Sequence, residues 1–537
     1  MNSPVGGETD SNETTDRESA RFSWPAAETI FAFLLERSLL AAADFDGFSS
    51  AADELDRLVS LEKRLFFEQN DVSSRPVGVL DRIRRFIAVF FSHPAKDDFS
   101  DGSALSAFSD ALPDALPLGA ILPVGAYRRR EESFERLEML AASEYAAELF
   151  DLLEHSPLVE SVLRRERDSL TLRFDVKALR LPGWARVPLT VRTVRPESFF
   201  TAALFETASS NDWAFLTRQA AATGLRLERA GLFEPNGDRV PIDSTEAIYE
   251  RLALLPQPME LLATGTPFRR AAEEPYRLLT TSQIRGDLHV HTSYSDGTAS
   301  MEEMVSSAIA RRLEYVALTD HTERCYVAGG MDARRFRHYW KKIDRLNQRI
   351  AASGRKFRVL KGAEVDILPD GTLDLGDDDL AKADWVVASV HFELRQDRAA
   401  LHRRIERALA NPYVCVLAHP TQRSFASGFK LDLDPEFLVE TARKYGKFLE
   451  LNAQPHRLDL NSALCRLAKE RGVKIVLSTD AHSPEQLANT RFGVGVARRA
   501  GLTADDLVNT LPLDELLARR AAILERHERE LFEREAR

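Results

Sequence analysis

The chain has 537 residues, too many for one ordinary hydrophobic core, so three or four domains are expected. Hydrophobic residues make up 44% and charged residues 29%, which excludes a largely disordered chain, and the best apolar run, Phe86 to Phe91, falls far short of the roughly 20 residues of a membrane span. A formal charge of −11 argues against a protein that coats nucleic acid by broad phosphate neutralisation, but it leaves room for a site whose bound cations carry the positive charge.

The opening MNSPVGGETDSNETTDRESAR is polar and acidic, without the basic start or apolar stretch of a secretory signal, and reads as a disordered tail over residues 1–21. Residues 22–120 read as a helical domain and linker. SSAADELDRLVSLEKRLFF and VGVLDRIRRFIAVFF carry apolar residues at helical spacing, and a Ser-, Asp-, Ala- and Pro-rich stretch follows from His93. Residues 121–265 mix helices with strand-like alternation, as in SLTLRFDV and VPLTVRTV, and TPFRRAAEEPYR leads onward. From Ile284 the pattern becomes regular: DLHVHT, EYVALTDH, RVLKGAEVDIL, DWVVASVH, VCVLAHP, FLELNA and KIVLSTDAH are short apolar strands separated by amphipathic helices. Such βα units predict an α/β domain over residues 284–515, either a barrel or a doubly wound sheet, with its chemistry at the carboxyl ends of the strands. Residues 516–537 predict a charged amphipathic C-terminal helix, read as solvated. The cysteines, Cys325, Cys415 and Cys465, form no CxxC pair, so a thiolate zinc knuckle is not expected and a reducing cytoplasm fits.

The strand ends carry the chemistry. His289 and His291 are separated by one residue on a strand, so their side chains share a face; Asp480 and His482 repeat that spacing on the last strand. Asp296 follows in SYSDGT, His321 ends the second strand, Glu364 the third, His391 the fourth and His419 the fifth. A lone strand-end histidine is more often a hydrogen-bonded structural residue than a ligand. Here His289, His291, His321, His391, His419 and His482 all occupy the same structural place, whereas His93, His155, His338, His402, His456 and His527 do not. Nine nitrogen and oxygen ligands exceed what one ion coordinates, so two or three divalent ions are expected, with Mn²⁺, Zn²⁺ or Fe²⁺ suited to imidazole and carboxylate without thiolate. Neighbouring ions of this kind activate water, clamp a phosphate and stabilise a leaving oxygen.

The ordered set HVH, SDG, TDH, GAEVDILPDG, SVH, AHPT, LELNAQPHRLDL and STDAH resembles the polymerase and histidinol phosphatase (PHP) domain, and more narrowly the C-terminal domain of bacterial family X DNA polymerases. The resemblance implies a distorted (β/α)₇ barrel with three metal ions. His289, His291, Glu364 and Asp480 would hold the first, Glu364, His391 and His419 the second, and Asp296, His321 and His482 the third. Glu364, Asp480 and His482 are the residues it implies at the centre of catalysis. The implied activity is that of a metal-dependent phosphoesterase or 3′-5′ exonuclease, acting on phosphate esters that include DNA 3′ ends.

Upstream, the segment from Arg192 to Phe233 is similar to the thumb of that polymerase family, and GAYRRREE, from Gly125, to its palm motif. Laid on the family pattern, the palm Asp-x-Asp pair falls on Arg136 and Glu138, the third Asp on Thr190 and the motif serine on Ala126. A guanidinium binds no cation, so the resemblance implies a degenerate α+β palm and thumb without polymerase activity. A second reading makes this half a non-catalytic scaffold that binds DNA or a protein in DNA repair. Arg423, Asn452 and Arg457, with His456, are candidate substrate contacts beside the metal mouth, a loop arginine or a turn capped by Asn452 being the plainer alternatives. Arg128, Arg129 and Arg130, followed by Glu131 and Glu132, are read as ordinary charged surface.

Overall fold

The computed structural model describes residues 22–23, 120–154, 159–175, 186–425 and 427–535. The expected tail, and the helical region apart from Phe22, Ser23 and Ala120, lie outside the described residues.

The first unit is built on a five-stranded sheet. Its strands are β1 (Ala120–Pro123), β2 (Leu137–Ala142), β3 (Val159–Arg165), β4 (Ser169–Asp175) and β5 (Arg186–Val194), ordered β1-β2-β5-β4-β3. Only β2 and β5 run parallel. β2, LEMLAA, is buried on both faces as a central strand should be, whereas Val162 and Leu163 on the edge strand β3 stay exposed. The helices α1 (Phe199–Thr207) and α2 (Ser210–Ala222) follow, α2 opened by a capping box in which Ser209 and Asp212 satisfy each other's backbone N–H groups. A small antiparallel sheet, Arg226–Glu228, Gly231–Phe233 and Arg239–Val240, completes this half.

The second unit is a near-closed, all-parallel seven-stranded barrel. Its strands are β6 (Gly286–Val290), β7 (Tyr315–Leu318), β8 (Arg358–Asp366), β9 (Trp385–Ser389), β10 (Val416–Leu417), β11 (Phe448–Asn452) and β12 (Ile475–Ser478), each hydrogen-bonded to the next in chain order. The last and first strands meet where the His291 N–H donates to the Ala481 carbonyl at 2.9 Å. Strands such as WVVAS are buried at every position, the signature of parallel strands covered on both faces. Alternate residues of the strands, among them Tyr315, Leu360, Trp385, Val416, Phe448 and Val476, form an apolar cluster that includes Leu516 of the C-terminal helix (Leu513–Glu535). That helix therefore starts three residues before the predicted boundary, and its first turns pack on the barrel through Leu513, Leu516, Leu517 and Ile523. The solvated reading fails for these first turns because Leu513, Leu516, Leu517 and Ile523 pack against the barrel.

The arginine run also departs from expectation. Arg129 donates to the Thr207 carbonyl at 2.7 Å, Arg130 pairs with Glu260 at 3.4 Å, and burial pushes the Arg128 guanidinium down to about 10. Arg499 of the barrel half donates to the Arg129 carbonyl and pairs with Glu131, while Glu132 accepts from the Ser462 N–H. The segment is the joint between the two units, where Arg130 meets Glu260 and Glu131 meets Arg499, while one buried Arg128 nitrogen is left without a hydrogen-bond partner. Among the described residues no helix is long and apolar enough to cross a membrane, and all three cysteines are unpaired and buried.

Candidate metal centre

Seven strands converge at one mouth, and the residue that fills it is Glu364. It lies near the end of β8, 1% exposed. One carboxylate oxygen is 3.3 Å from His289 Nε2, 3.5 Å from His291 Nε2 and 2.9 Å from His321 Nδ1; the other is 3.4 Å from His391 Nε2 and 3.1 Å from His419 Nε2. Asp480 approaches His291 Nε2 at 3.0 Å, and Asp296 reaches His482 Nε2 at 3.2 Å and His321 Nε2 at 3.4 Å. All nine side chains singled out by the strand-end pattern thus share one cage.

Their ligand atoms fall into overlapping groups: His289, His291 and Asp480; Glu364, His391 and His419; and His291, Asp296, His321 and His482. A further group joins His321 and His391 to Cys325, which the sequence pattern did not single out. The cage fits divalent cations on a physical test. His289 Nε2, both ring nitrogens of His291, His321 Nδ1 and Glu364 Oε2 are buried without a hydrogen-bond partner. Orphaned polar atoms are costly inside a protein, and their gathering at one point is explained by cations that accept the carboxylate oxygen and one lone pair from each neutral ring.

Electrostatics give the same picture. Burial alone would push the His289 imidazole down, but Glu450, Glu364 and Asp480 together hold it well above its usual range. Against the same burial penalty, Glu364 and Asp366 lift His391 to about 10. Burial and the neighbouring His321 and His482 push His291 down to about 4. Surrounding imidazoles overcome desolvation at Glu364 and Asp480, keeping both carboxyls well below their ordinary range.

The local sequence explains how each ligand is aimed. In SYSDG, the Gly297 N–H bonds back to the Thr292 carbonyl at 3.0 Å, and a Cβ at Gly297 would lie 2.6 Å from the Thr292 backbone, so only glycine lets the loop fold tightly behind Asp296. The buried Asp320 carboxylate gathers that loop, accepting from Thr292 and Ser295 N–H and hydroxyl groups and from the Tyr339 hydroxyl. His419 and Asp480 have positive φ, 28° and 52°, where the backbone leaves the strand direction to turn their side chains inward.

Sequence reading missed the carboxylates behind the ligands. Glu450, fully buried, accepts from His289 Nδ1 at 2.7 Å and from the His419 N–H at 2.7 Å. Asp366 takes His391 Nδ1 at 3.1 Å. A legible signal existed: Glu450 is the lone charge in the apolar strand FLELN, and Asp366 follows Glu364 by two residues on the same face. Such partners fix the tautomer and basicity of a ligating imidazole. Glu450→Gln, which keeps the volume, is expected to weaken divalent-metal affinity about 10- to 100-fold in equilibrium titration. An unaltered affinity would show that Glu450 merely fills space.

The substrate candidates separate. Arg423 directs its Nε to the Arg457 carbonyl at 2.7 Å and its terminal nitrogen to the Leu458 carbonyl, so it braces the following turn from behind. Asn452 donates to Asp480 at 3.0 Å and Glu450 at 3.1 Å. Arg457 alone keeps a buried guanidinium nitrogen without a hydrogen-bond partner, close enough to His419 and Asp480 to act on both electrostatically.

A profile of the PHP domain matches residues 287–454. The DNA polymerase/3′-5′ exonuclease PolX of Bacillus subtilis (strain 168) is 34% identical over 399 residues, covering 73% of this chain and 67% of that one. The chain belongs to the PolX family. It is a family X-like polymerase chain with a C-terminal PHP domain, and that domain makes it a metal-binding phosphoesterase. A probable phosphatase of Thermoanaerobacter sp. (strain X514) is 29% identical over 235 residues, 42% of this chain and 89% of that one. A probable phosphatase of Syntrophotalea carbinolica is 25% identical over 242 residues, 43% of this chain and 94% of that one.

Within this family the first unit is informative. Glu138 and Thr190 are register partners on β2 and β5, side by side where the family pattern puts two palm carboxylates. Glu138 is held by Arg192 at 3.0 Å and Thr190 by the Thr171 hydroxyl at 3.0 Å. Among the described residues, no group of three potential metal ligands forms there.

Proposed function

We propose that the protein removes nucleotides or phosphate from nucleic-acid 3′ ends at the barrel mouth, and that its polymerase half no longer polymerises. The observation that carries this is the convergence of five imidazoles on the single buried carboxylate of Glu364. His289, His291, Glu364 and Asp480 would hold one ion, Glu364, His391 and His419 a second, and Asp296, His321 and His482 a third, with Mn²⁺, Zn²⁺ or Fe²⁺ suited to these donors. Divalent ions bound there supply an activated water and neutralise the charge that builds on the phosphoryl oxygens. Glu364, common to the first two sets, would keep those ions adjacent, and Asp480 and His482 close the cage on the β12 side. Arg457 offers its unpartnered nitrogen to a phosphate oxygen, and Asn452 fixes Asp480 from behind. The first unit serves as the frame to which the barrel is joined through Arg499, Glu131 and Glu132. The protein's proposed units are 22–120, 121–265, 284–512 and the C-terminal helix from Leu513, working in the cytoplasm, where the unpaired cysteines stay reduced.

The test is a substrate panel. With Mn²⁺ the purified protein should release product from 3′-labelled single strands and from p-nitrophenyl phosphates, and should extend no primer with Mg²⁺ or Mn²⁺. Silence on both hydrolytic substrates overturns the reading; primer extension overturns its second clause. A scaffold role is favoured specifically by the persistence of the thumb-like helices α1 and α2 beside a palm that keeps only Glu138 of three carboxylates.

A further inference from the structure

The rim of the metal mouth carries apolar surface that the ligand cage does not use. Tyr326 and Val327 are 72% and 73% exposed, far above every other large hydrophobic residue among those described. They sit on a short turn five residues beyond His321. The Tyr326 ring lies on that of Phe392, centroids 5.9 Å apart and planes 13° from parallel. Phe392 in turn follows the ligand His391, and those two rings are 6.5 Å apart and nearly perpendicular. At that spacing the near-parallel rings are offset, and Tyr326 keeps most of its surface open to solvent. Arg324 caps the same step, its guanidinium 5.5 Å from the Phe392 centroid and 3.4 Å from Glu393.

Both halves of the step are braced. The Tyr326 turn is closed by Gly330 N–H on the Cys325 carbonyl at 3.1 Å and Met331 N–H on the His321 carbonyl at 2.8 Å, and Arg324 N–H is held by Asp374. On the other side the buried Arg404 donates to the Phe392 carbonyl at 3.0 Å and to the Ile367 carbonyl. An exposed tyrosine on a braced turn loses little freedom when a flat ligand covers it, which favours binding.

We infer that Tyr326 and Phe392 form a base-stacking subsite, which seats the unpaired nucleobase next to the phosphate held at the Glu364 cage. The inference rests on the phosphoesterase reading of that cage. The occupant follows from two features together. The platform is flat and aromatic, and through Phe392 and the ligand His391 it adjoins a site for a phosphate ester, so its ligand joins a π face to a phosphate. Within a duplex both faces of each base are stacked, and at its end the inner face and the pairing edge are still engaged, so the step favours single-stranded or frayed ends. Because every base has a π face, it discriminates little among sequences.

The experiment compares the full-length protein with Tyr326→Ala, Tyr326→Trp and Phe392→Ala on single strands that end in a normal or an abasic 3′ nucleotide. Stacking of one base predicts that kcat/KM of the parent falls about 5- to 100-fold on the abasic end. Tyr326→Ala and Phe392→Ala should lose a similar factor on the normal strand and treat both strands alike, and Tyr326→Trp should restore the preference. Fluorescence anisotropy of labelled strands in chelator gives a second readout, with Tyr326→Ala weakening binding. Equal loss on both strands, or no loss in cleavage and binding, overturns the subsite while leaving the phosphoesterase intact. Strand binding that depends on Tyr326 without cleavage by the parent would instead strike the phosphoesterase reading. Competition by a nucleoside monophosphate that Tyr326→Ala weakens supports the subsite, and competition equal in parent and variant overturns it. Where it depends on Tyr326, parity with strand ends assigns the subsite to free nucleotides and weaker competition to strand ends.

Discussion

Glu364→Gln is expected to lower phosphoesterase turnover about a thousand-fold or more, because several kcal/mol of transition-state charge stabilisation depend on the ions it holds. No other side chain touches so much of the centre. Its two oxygens face His289, His291 and His321 on one side and His391 and His419 on the other. Glutamine keeps the shape but replaces one acceptor oxygen with a donor amide and removes the charge that draws two cations together. The loss should appear in bound metal as well as in rate, with elemental analysis of the dialysed variant falling by one ion or more per chain. A variant that keeps parental metal content and rate would remove Glu364 from the centre. Folding is a separate matter, and the sign of that effect follows from charge: in metal-free protein Glu364 is ionised among imidazoles, so neutralising it leaves His391 and His321 without their compensating charge.

The second large effect concerns pH. In metal-free protein adjacent carboxylates, against the burial penalty, raise His289 and His321 well above their ordinary range and His391 to about 10, so these three rings carry protons near neutrality; His482 is raised in the same direction by Asp296 and Asp480. Metal ligation needs the neutral ring. Apparent affinity should therefore fall about tenfold per pH unit for each proton displaced, and metal titration in buffers of different ionisation enthalpy should register proton release. Stability of the chelated protein has the opposite slope on the alkaline side. A raised imidazole stabilises the fold fully below its unfolded pKa of about 6.5, and for His391 that contribution is lost as pH climbs through about 10. Asp296, Glu364 and Asp480, all held low, contribute above about pH 4 and lose it on acidification. His291, pushed down to about 4, adds to the acid-side loss, since it must charge inside the core. The rise in melting temperature on adding Mn²⁺ should thus be larger at about pH 9 than at about pH 6. A rise independent of pH would mean that the rings are not the groups displaced.

Much of the site was legible in the chain before any folding. His289 and His291 share a face because strand side chains alternate, and Asp480 with His482 follow the same rule; no tertiary information is needed for that. The barrel strands were legible as well, since unbroken apolar runs such as WVVA and IVL are expected where both faces of a strand are covered. Loss of the palm carboxylates was equally visible at Arg136 and Thr190. Other features were hidden for physical reasons. Glu450 looks like an anomaly in an apolar strand until β6 is brought beside it, 161 residues away in the chain. Arg423 and Arg457 have the same chemistry, and a long flexible side chain can turn either way; backbone carbonyls at Arg457 and Leu458 capture the first.

Local pattern determined what kind of elements form, which residues sit at strand ends and which donor atoms are available, because alternation and apolar runs are properties of neighbouring residues. Tertiary structure decided the rest. Closure of β6 against Ala481 makes seven strand ends into a single mouth and sets five imidazoles around one carboxylate. It also buries Arg128 in a joint and exposes Tyr326 at the rim. Burial and pairing depend on groups distant in the chain, and no window of sequence contains both partners.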